Sequence, residues 1–297
     1  MTQWFNLLFP SWEGQGVGMV NSYNNMIEII ETRWLPRLYE ACQAHFRGVK
    51  LPSHDHRHHL RVWLLAKELL AALAEHGAIS EDLIEGMLIA AMFHDVGMSV
   101  TRAAQHGRAS RLICERWMAE QSASFIRSRE LLAAIEHHDD KSYAAHQTRS
   151  ERMRILPILA ACDDLDAFGA IGVFRYAEIY LLRGIPAAEL AAHVLPNLAN
   201  RYRHFQRMYG DLGELAERHA RRYTMTRRFY AEFAQQAYAP DCLTGAVGVI
   251  NMFRARVIEG DDSPEALFDA IQPESDAHII EFFQQFYAEL AISCQTP

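Results

Sequence analysis

Lysine is nearly absent from this 297-residue chain: Lys50, Lys67 and Lys141 are its only lysines, and arginine supplies almost all of the positive charge. Acids outnumber bases. The formal net charge of −8 argues against a nucleic-acid partner, whose affinity rests on basic side chains neutralising phosphates. Cysteine is sparse and scattered. Its five copies, at 42, 114, 162, 242 and 294, are odd in number and form no CxxC pair, which argues for reduced thiols and against a thiolate zinc site. Long apolar runs are missing too. The longest, Leu88 to Phe93, falls short of the roughly 18 residues a membrane span requires and runs into His94 and Asp95. The opening MTQWFNLLFPSWEG has no basic region and no small-residue cleavage site, so no secretory signal is expected and cytoplasmic residence follows by default. Alternating strand patterns are scarce, and there is neither an internal repeat nor a low-complexity tract.

What the chain does contain is helical periodicity. Half of its residues are hydrophobic and 22% are charged, the balance of a globular protein with a sizeable core. Helices are predicted over 20–45, with Pro36 as an interruption, and over 58–75, with Leu60, Trp63, Leu64, Leu70 and Leu73 on one face. SEDLIEGMLIAAMFHD predicts a third, with Ser80 as N-cap, Glu81 and Asp82 at the positive end of the dipole, and Gly97 after the last turn. Further helices are predicted over 106–121, 127–138, 151–163, 170–182, 187–208 and 213–237. A seam falls at YAPDCLTG, 238–245. Beyond it lie an acidic stretch and an amphipathic segment carrying Ile279, Ile280, Phe282, Phe283, Phe286 and Leu290, read as a helix packed on the rest or as a partner-binding surface. The expected fold is all-α.

Side chains of the metal-ligating type gather at four predicted helix ends: the run SHDHRHH with His54, His56, His58 and His59; His94 with Asp95; His137 with His138; and Asp163, Asp164 and Asp166. A divalent metal needs three to six N or O donors from different segments, and helix ends let short side chains converge. The pair in AAMFHDVG is the most informative, because adjacent His94 and Asp95 after a buried apolar run need partners. A cation is one; a histidine–carboxylate bond capping the helix is another. Asp166, before AFGAIG, also reads as a solvated N-cap of the next helix.

In this order the segments resemble the HD superfamily of metal-dependent phosphohydrolases. HDHRHHLRV looks like the HDxxHxxRV motif of the bacterial HD-type nucleoside pyrophosphohydrolase group, AAMFHDVG like its doublet, HGRAS like its HxxxS helix start, and CDDLDAFGAIGVFR like its ADxLDAxGAIGxxR segment. ELAERHARRYTMTRRF is similar to a late Arg-rich helix of those proteins. The resemblance implies an all-α HD domain over residues 51–237, an N-terminal arm and helix over 1–50 and a C-terminal helical extension over 238–297. It implies one or two divalent transition metals (Mn, Fe, Co, Ni or Zn, with Mg as an alternative) on His58, His94, Asp95 and Asp163, extended by His106, His137 and His138. In a dinuclear site Asp95 would bridge, and His138 fits the expected spacing better than His137. Arg61, one turn after His58, is expected to reach a phosphate or brace an acid, and Arg102, Arg108, Arg175 and Lys141 are further phosphate contacts. Catalytic roles thus fall on Asp95, Arg61 and Lys141. His54 is expected beside the site, His56 and His59 in solvent, and the remaining histidines, His219 among them, as ordinary residues.

The implied substrate is a nucleotide or another small phosphorylated metabolite, with no membrane partner and with a homodimer left open. Departures from the family pattern bear on this. Met98 stands where many members place Lys or Asp after the doublet, the link from Asp95 to His106 is short, and no GYP segment is present. Two other functions compete: a di-iron oxygenase built on the extra histidines, and a non-catalytic sensor or scaffold that binds through the aromatic C-terminal helix.

Overall fold

Apolar residues recurring every three to four positions yield, in the computed structural model of the protein, a chain built of helices. The structure describes residues 17–103, 105–140, 148–271 and 275–293, and among them there is no strand. In chain order the helices are α1 (Val17–Phe46), α2 (His56–Ala74), α3 (Glu81–Phe93), α4 (His106–Glu120), α5 (Ser128–His137), α6 (Ile155–Asp166), α7 (Gly169–Leu182), α8 (Leu190–Tyr209), α9 (Gly213–Gln235), α10 (Gly245–Met252) and α11 (Ala277–Ser293). Lys141 lies outside the described residues.

Helix α3 organises the rest. From Gly86 on it is apolar on every side, and from Met87 to Phe93 each residue is fully buried. Such a helix must be surrounded. Helices α1, α2, α5 and α6 pack around it. Its C-terminus therefore delivers His94 and Asp95 into the interior. Two local expectations change here. Pro36 sits inside α1 without ending it, because buried Trp34, Leu35 and Leu38 hold the helix in place across the lost hydrogen bond. Ser80 makes no side-chain cap bond, and its hydroxyl instead faces Arg127 at 3.5 Å.

One contiguous core runs from Tyr23 to Leu290. Past the break at 236–244, α10 and α11 fold back onto the earlier helices. Phe282, Phe283 and Phe286 are buried, with ring contacts to Phe229 (5.0 Å), Phe253 (5.2 Å) and Phe174 (5.7 Å). The aromatic stripe is thus interior, packed on the rest of the chain. No helix among the described residues is long and apolar enough to cross a membrane.

Candidate metal centre

The buried end of α3 places Asp95 between two pairs of imidazoles. Its Oδ2 lies 3.7 Å from Nε2 of both His58 and His94, and its Oδ1 lies 3.0 Å from His138 Nε2 and 3.3 Å from His106 Nε2. Asp163 completes the first pair, with Oδ1 3.6 Å from His58 Nε2 and 4.0 Å from His94 Nε2. Two buried groups result, sharing Asp95, each able to hold a metal ion: His58, His94, Asp95 and Asp163, and Asp95, His106 and His138.

Two glycines make the second group possible. A Cβ on Gly97 would meet His106 O at 2.1 Å and Ser110 N at 2.6 Å, so only glycine lets the turn after Asp95 touch α4. Gly97 N then donates to Ser110 Oγ at 2.8 Å, which seats His106 beside Asp95. At Gly107 a Cβ would meet Glu136 O at 2.5 Å, and this close crossing of α4 and α5 brings the His106 and His138 rings to 5.4 Å.

All four imidazoles are oriented the same way. His94, His106 and His138 each turn Nδ1 onto the carbonyl three residues earlier, Ala91, Ala103 and Ile135, at 2.8 to 3.0 Å. His58 Nδ1 donates to Asp166 Oδ2 at 2.7 Å. Such acceptors put the proton on Nδ1 and leave Nε2 as the inward lone pair, the arrangement by which outer groups fix metal-binding histidines. His58 Nε2 and His94 Nε2 then face each other at 3.0 Å. Two lone pairs at that distance repel unless a cation lies between them. Nitrogens each about 2.0–2.1 Å from one metal are about 3 Å apart at a right-angled corner, so the donor set fits a metal.

The protonation states differ between the groups. Burial and the Arg175 charge lower the His58 pKa to about 4, and burial lowers that of His94. Asp95 and Asp163 are held well below the usual carboxylate range despite burial, by His94 and His138 in one case and by Arg175 and Arg201 in the other. The first group is thus neutral imidazole and ionised carboxylate at neutral pH, ready for a metal. In the second, burial works against the proton on His106, but the hydrogen bond and charge of Asp95 outweigh it and raise the pKa to about 9. His138 is raised too, by Asp95 against burial. A metal must displace these protons. Affinity of the second group is expected to rise with pH up to about 9, with proton release, whereas the first group stays insensitive above about pH 4 with respect to His58. Metal titrations between pH 6.5 and 9.5 in buffers of different ionisation heat measure both, and equal pH dependence of the two would overturn the assignment.

Each member of the acid run has an arginine. Asp163 Oδ1 takes Arg175 Nη2 at 3.0 Å, Asp164 Oδ1 takes Arg201 at 2.7 Å, and Asp166 takes Arg61 Nε at 2.8 Å and Nη2 at 3.0 Å. Only Asp163 also faces the inward Nε2 atoms of His58 and His94. Asp166 is 1% exposed at the end of α6, not a solvated cap, and it is the shared anchor of His58, Arg61 and Arg175. Arg61 therefore braces an acid. Arg102 and Arg108 are exposed.

Several placements correct the sequence expectations. His137 is exposed and belongs to neither group, because α5 buries the face of Leu131, Ala134, Ile135 and His138. Replacement of His137 by alanine is expected to leave metal content unchanged, while His138→Ala removes the metal bound at the second group; elemental analysis of both variants decides. His59 is fully buried, its Nδ1 on Ala91 O at 3.0 Å, and His56 is half-buried against Tyr39. His54 is buried with its Nδ1 2.7 Å from Ser53 Oγ, and both residues engage Glu178. Asp139, which sequence reasoning passed over, stands 3.5 Å from His106 Nε2 with its side chain 42% exposed. Its position directly after a ligand-type histidine pair was the available signal.

An all-α chain with buried histidine–aspartate groups that can hold a metal ion is what fold and site define together. No family model, curated protein or solved structure matches the chain.

Proposed function

We propose that the protein is a metal-dependent phosphohydrolase of the HD type, cleaving a phosphoester or phosphoanhydride of a nucleotide or another small phosphorylated metabolite. The observation that carries this is Asp95: one carboxylate whose two oxygens each face a pair of inward imidazole nitrogens, the layout of a dinuclear hydrolytic centre. A bound divalent metal would lower the pKa of a water from 15.7 to about 7 and offset charge on phosphoryl oxygens. His58, His94, Asp95 and Asp163 would hold one ion, and Asp95, His106 and His138 a second.

The chain's own residues supply the rest. Asp166 and the three backbone carbonyls keep every Nε2 aimed inward, so the donors are ordered before anything binds. Asp139, partly exposed beside His106, places a carboxylate Oδ2 at the edge of the second group, where it can accept a proton from an attacking water. Arg175 Nη2, 3.4 Å from His58 Nε2, brings a fixed positive charge to the edge of the first, suited to a phosphate oxygen.

The test is hydrolysis of a panel of nucleotides and generic phosphoesters by metal-stripped protein reloaded with Mn, Fe, Co, Ni, Zn or Mg. Metal-dependent release of phosphate or pyrophosphate is expected, and silence with every metal would sink the proposal. Four imidazoles and no thiolate also suit iron, which favours a di-iron oxygenase as the second reading. Two irons per chain in protein purified without added metal, with an absorption that responds to oxygen, would select it.

A further inference from the structure

The corner between α6 and α7 lies between two residues of the centre: Asp166 ends the one helix, and Arg175 stands on the other. Arg175 Nη1 donates to Asp166 Oδ2 at 3.1 Å and to the Asp163 carbonyl at 3.2 Å, and its Nη2 donates to Asp163 Oδ1 at 3.0 Å. Asp166 Oδ2 in turn accepts from His58 Nδ1 at 2.7 Å. The aim of His58 and the bracing of Asp163 therefore depend on how α7 leaves α6.

This corner has no cap of its own. Phe168, which precedes α7, offers no side chain that accepts a hydrogen bond, and the N–H groups of buried Ala170 and Ile171 need partners. Glu289 of α11 supplies them from more than a hundred residues away. It accepts from Ala170 N at 3.0 Å and from Ile171 N at 3.2 Å, one carboxylate oxygen for each, and its charge suits the positive end of the helix dipole. From the other side α9 takes the carbonyls. Arg222 donates to Leu165 O at 3.1 Å and to Phe168 O at 2.9 Å, and Thr226 Oγ1 donates to Gly169 O at 3.0 Å. Arg222 Nη2 also lies 3.5 Å from Glu289 Oε2, which ties the two sides together. All of these contacts come from helices that carry none of the metal-ligating side chains.

We propose that Glu289 is a positioning residue of the first metal group: with Arg222 it fixes the α6–α7 corner, and through the corner the Asp166–Arg175 pair that aims His58 and braces Asp163. The inference rests on the metal groups of the reading above, and it gives the segment beyond the break at 236–244 a part in them. Its action is confined to one group. His106 and His138 are anchored instead on the carbonyls of Ala103 and Ile135, away from this corner.

The experiment is NMR of the histidine rings in full-length, metal-stripped protein, with two variants that loosen the corner from different helices. Glu289→Gln replaces one accepting oxygen by an amide NH₂ that cannot accept, and Arg222→Lys leaves one ammonium for two carbonyls. In each, the His58 ring ¹⁵N and Nδ1–H resonances should move, while those of His106 and His138 stay in place. A contact that only stabilises the fold would lower the unfolding midpoint and leave the ring resonances of the folded protein alone. Metal titration of the same variants should show the first group weakened about tenfold, the lower end of what a lost supporting partner costs, and the second group unchanged. Should one variant fail to fold, the other carries the measurement. His58 resonances that do not move, or histidine rings that all move alike, overturn the proposal. Failure of the unsubstituted protein to bind any metal would instead overturn the phosphohydrolase reading, and the metal-free spectra would still decide the role of Glu289.

Discussion

Asp95→Ala is expected to remove metal from both groups at once and to lower any metal-dependent hydrolysis by about 10²–10⁴-fold or more, the range lost with an essential acid–base group. The reason is geometric. Oδ1 and Oδ2 of this single carboxylate each face two imidazoles, so its loss strips a ligand from both groups at once. A second readout separates this from simple misfolding. In the metal-free protein Asp95, helped by Asp139 and the Ala103 carbonyl, raises the His106 pKa to about 9 against burial. Without it, only Asp139 and the Ala103 carbonyl still favour the proton against burial, and the His106 pKa should fall. Asp95→Asn keeps the shape and should reproduce both effects. Retention of two metal equivalents in either variant would show that Asp95 is not the shared ligand.

The second large effect is on stability. Asp166→Ala leaves Arg61 and Arg175 as buried guanidinium groups without their shared carboxylate and strips His58 Nδ1 of its acceptor. Breaking a buried pair by removing one partner costs about 3–5 kcal/mol, because the remaining charge stays desolvated. Urea unfolding of metal-free protein should register a loss of that size. Asp166→Asn should recover part of it, since the amide oxygen still accepts one bond. Metal affinity of the first group should fall about 10- to 100-fold, the usual consequence of losing the group that orients a ligand histidine. A loss under about 1 kcal/mol, typical of an exposed pair, would contradict the buried geometry.

These expectations differ in how far the sequence foretold them. The helices follow from periodicity, and their ends fall close to the expected places: 106–121 became His106–Glu120, and 213–237 became Gly213–Gln235. The interior position of His94 and Asp95 was also legible, since a helix apolar on every side admits no solvent at its end. His138 over His137 could have been read from the spacing of Leu131, Ala134 and Ile135, which carries the buried face of α5 on to 138. His59 was misread for a general reason. A polar residue in a polar run looks exposed, and only the neighbouring carbonyl of Ala91, 32 residues away, explains its burial.

The sequence alone therefore determined the all-α class, the helices that carry each donor and the burial of the His94–Asp95 doublet, because these depend on local propensity and on apolar faces set by nearby residues. The tertiary structure decided which acid of the run faces the inward Nε2 atoms, which arginine neutralises each acid, and that one carboxylate serves two groups. Those outcomes rest on distances between side chains on different helices, such as His58 and Asp166, 108 residues apart, and no local pattern in the chain encodes them.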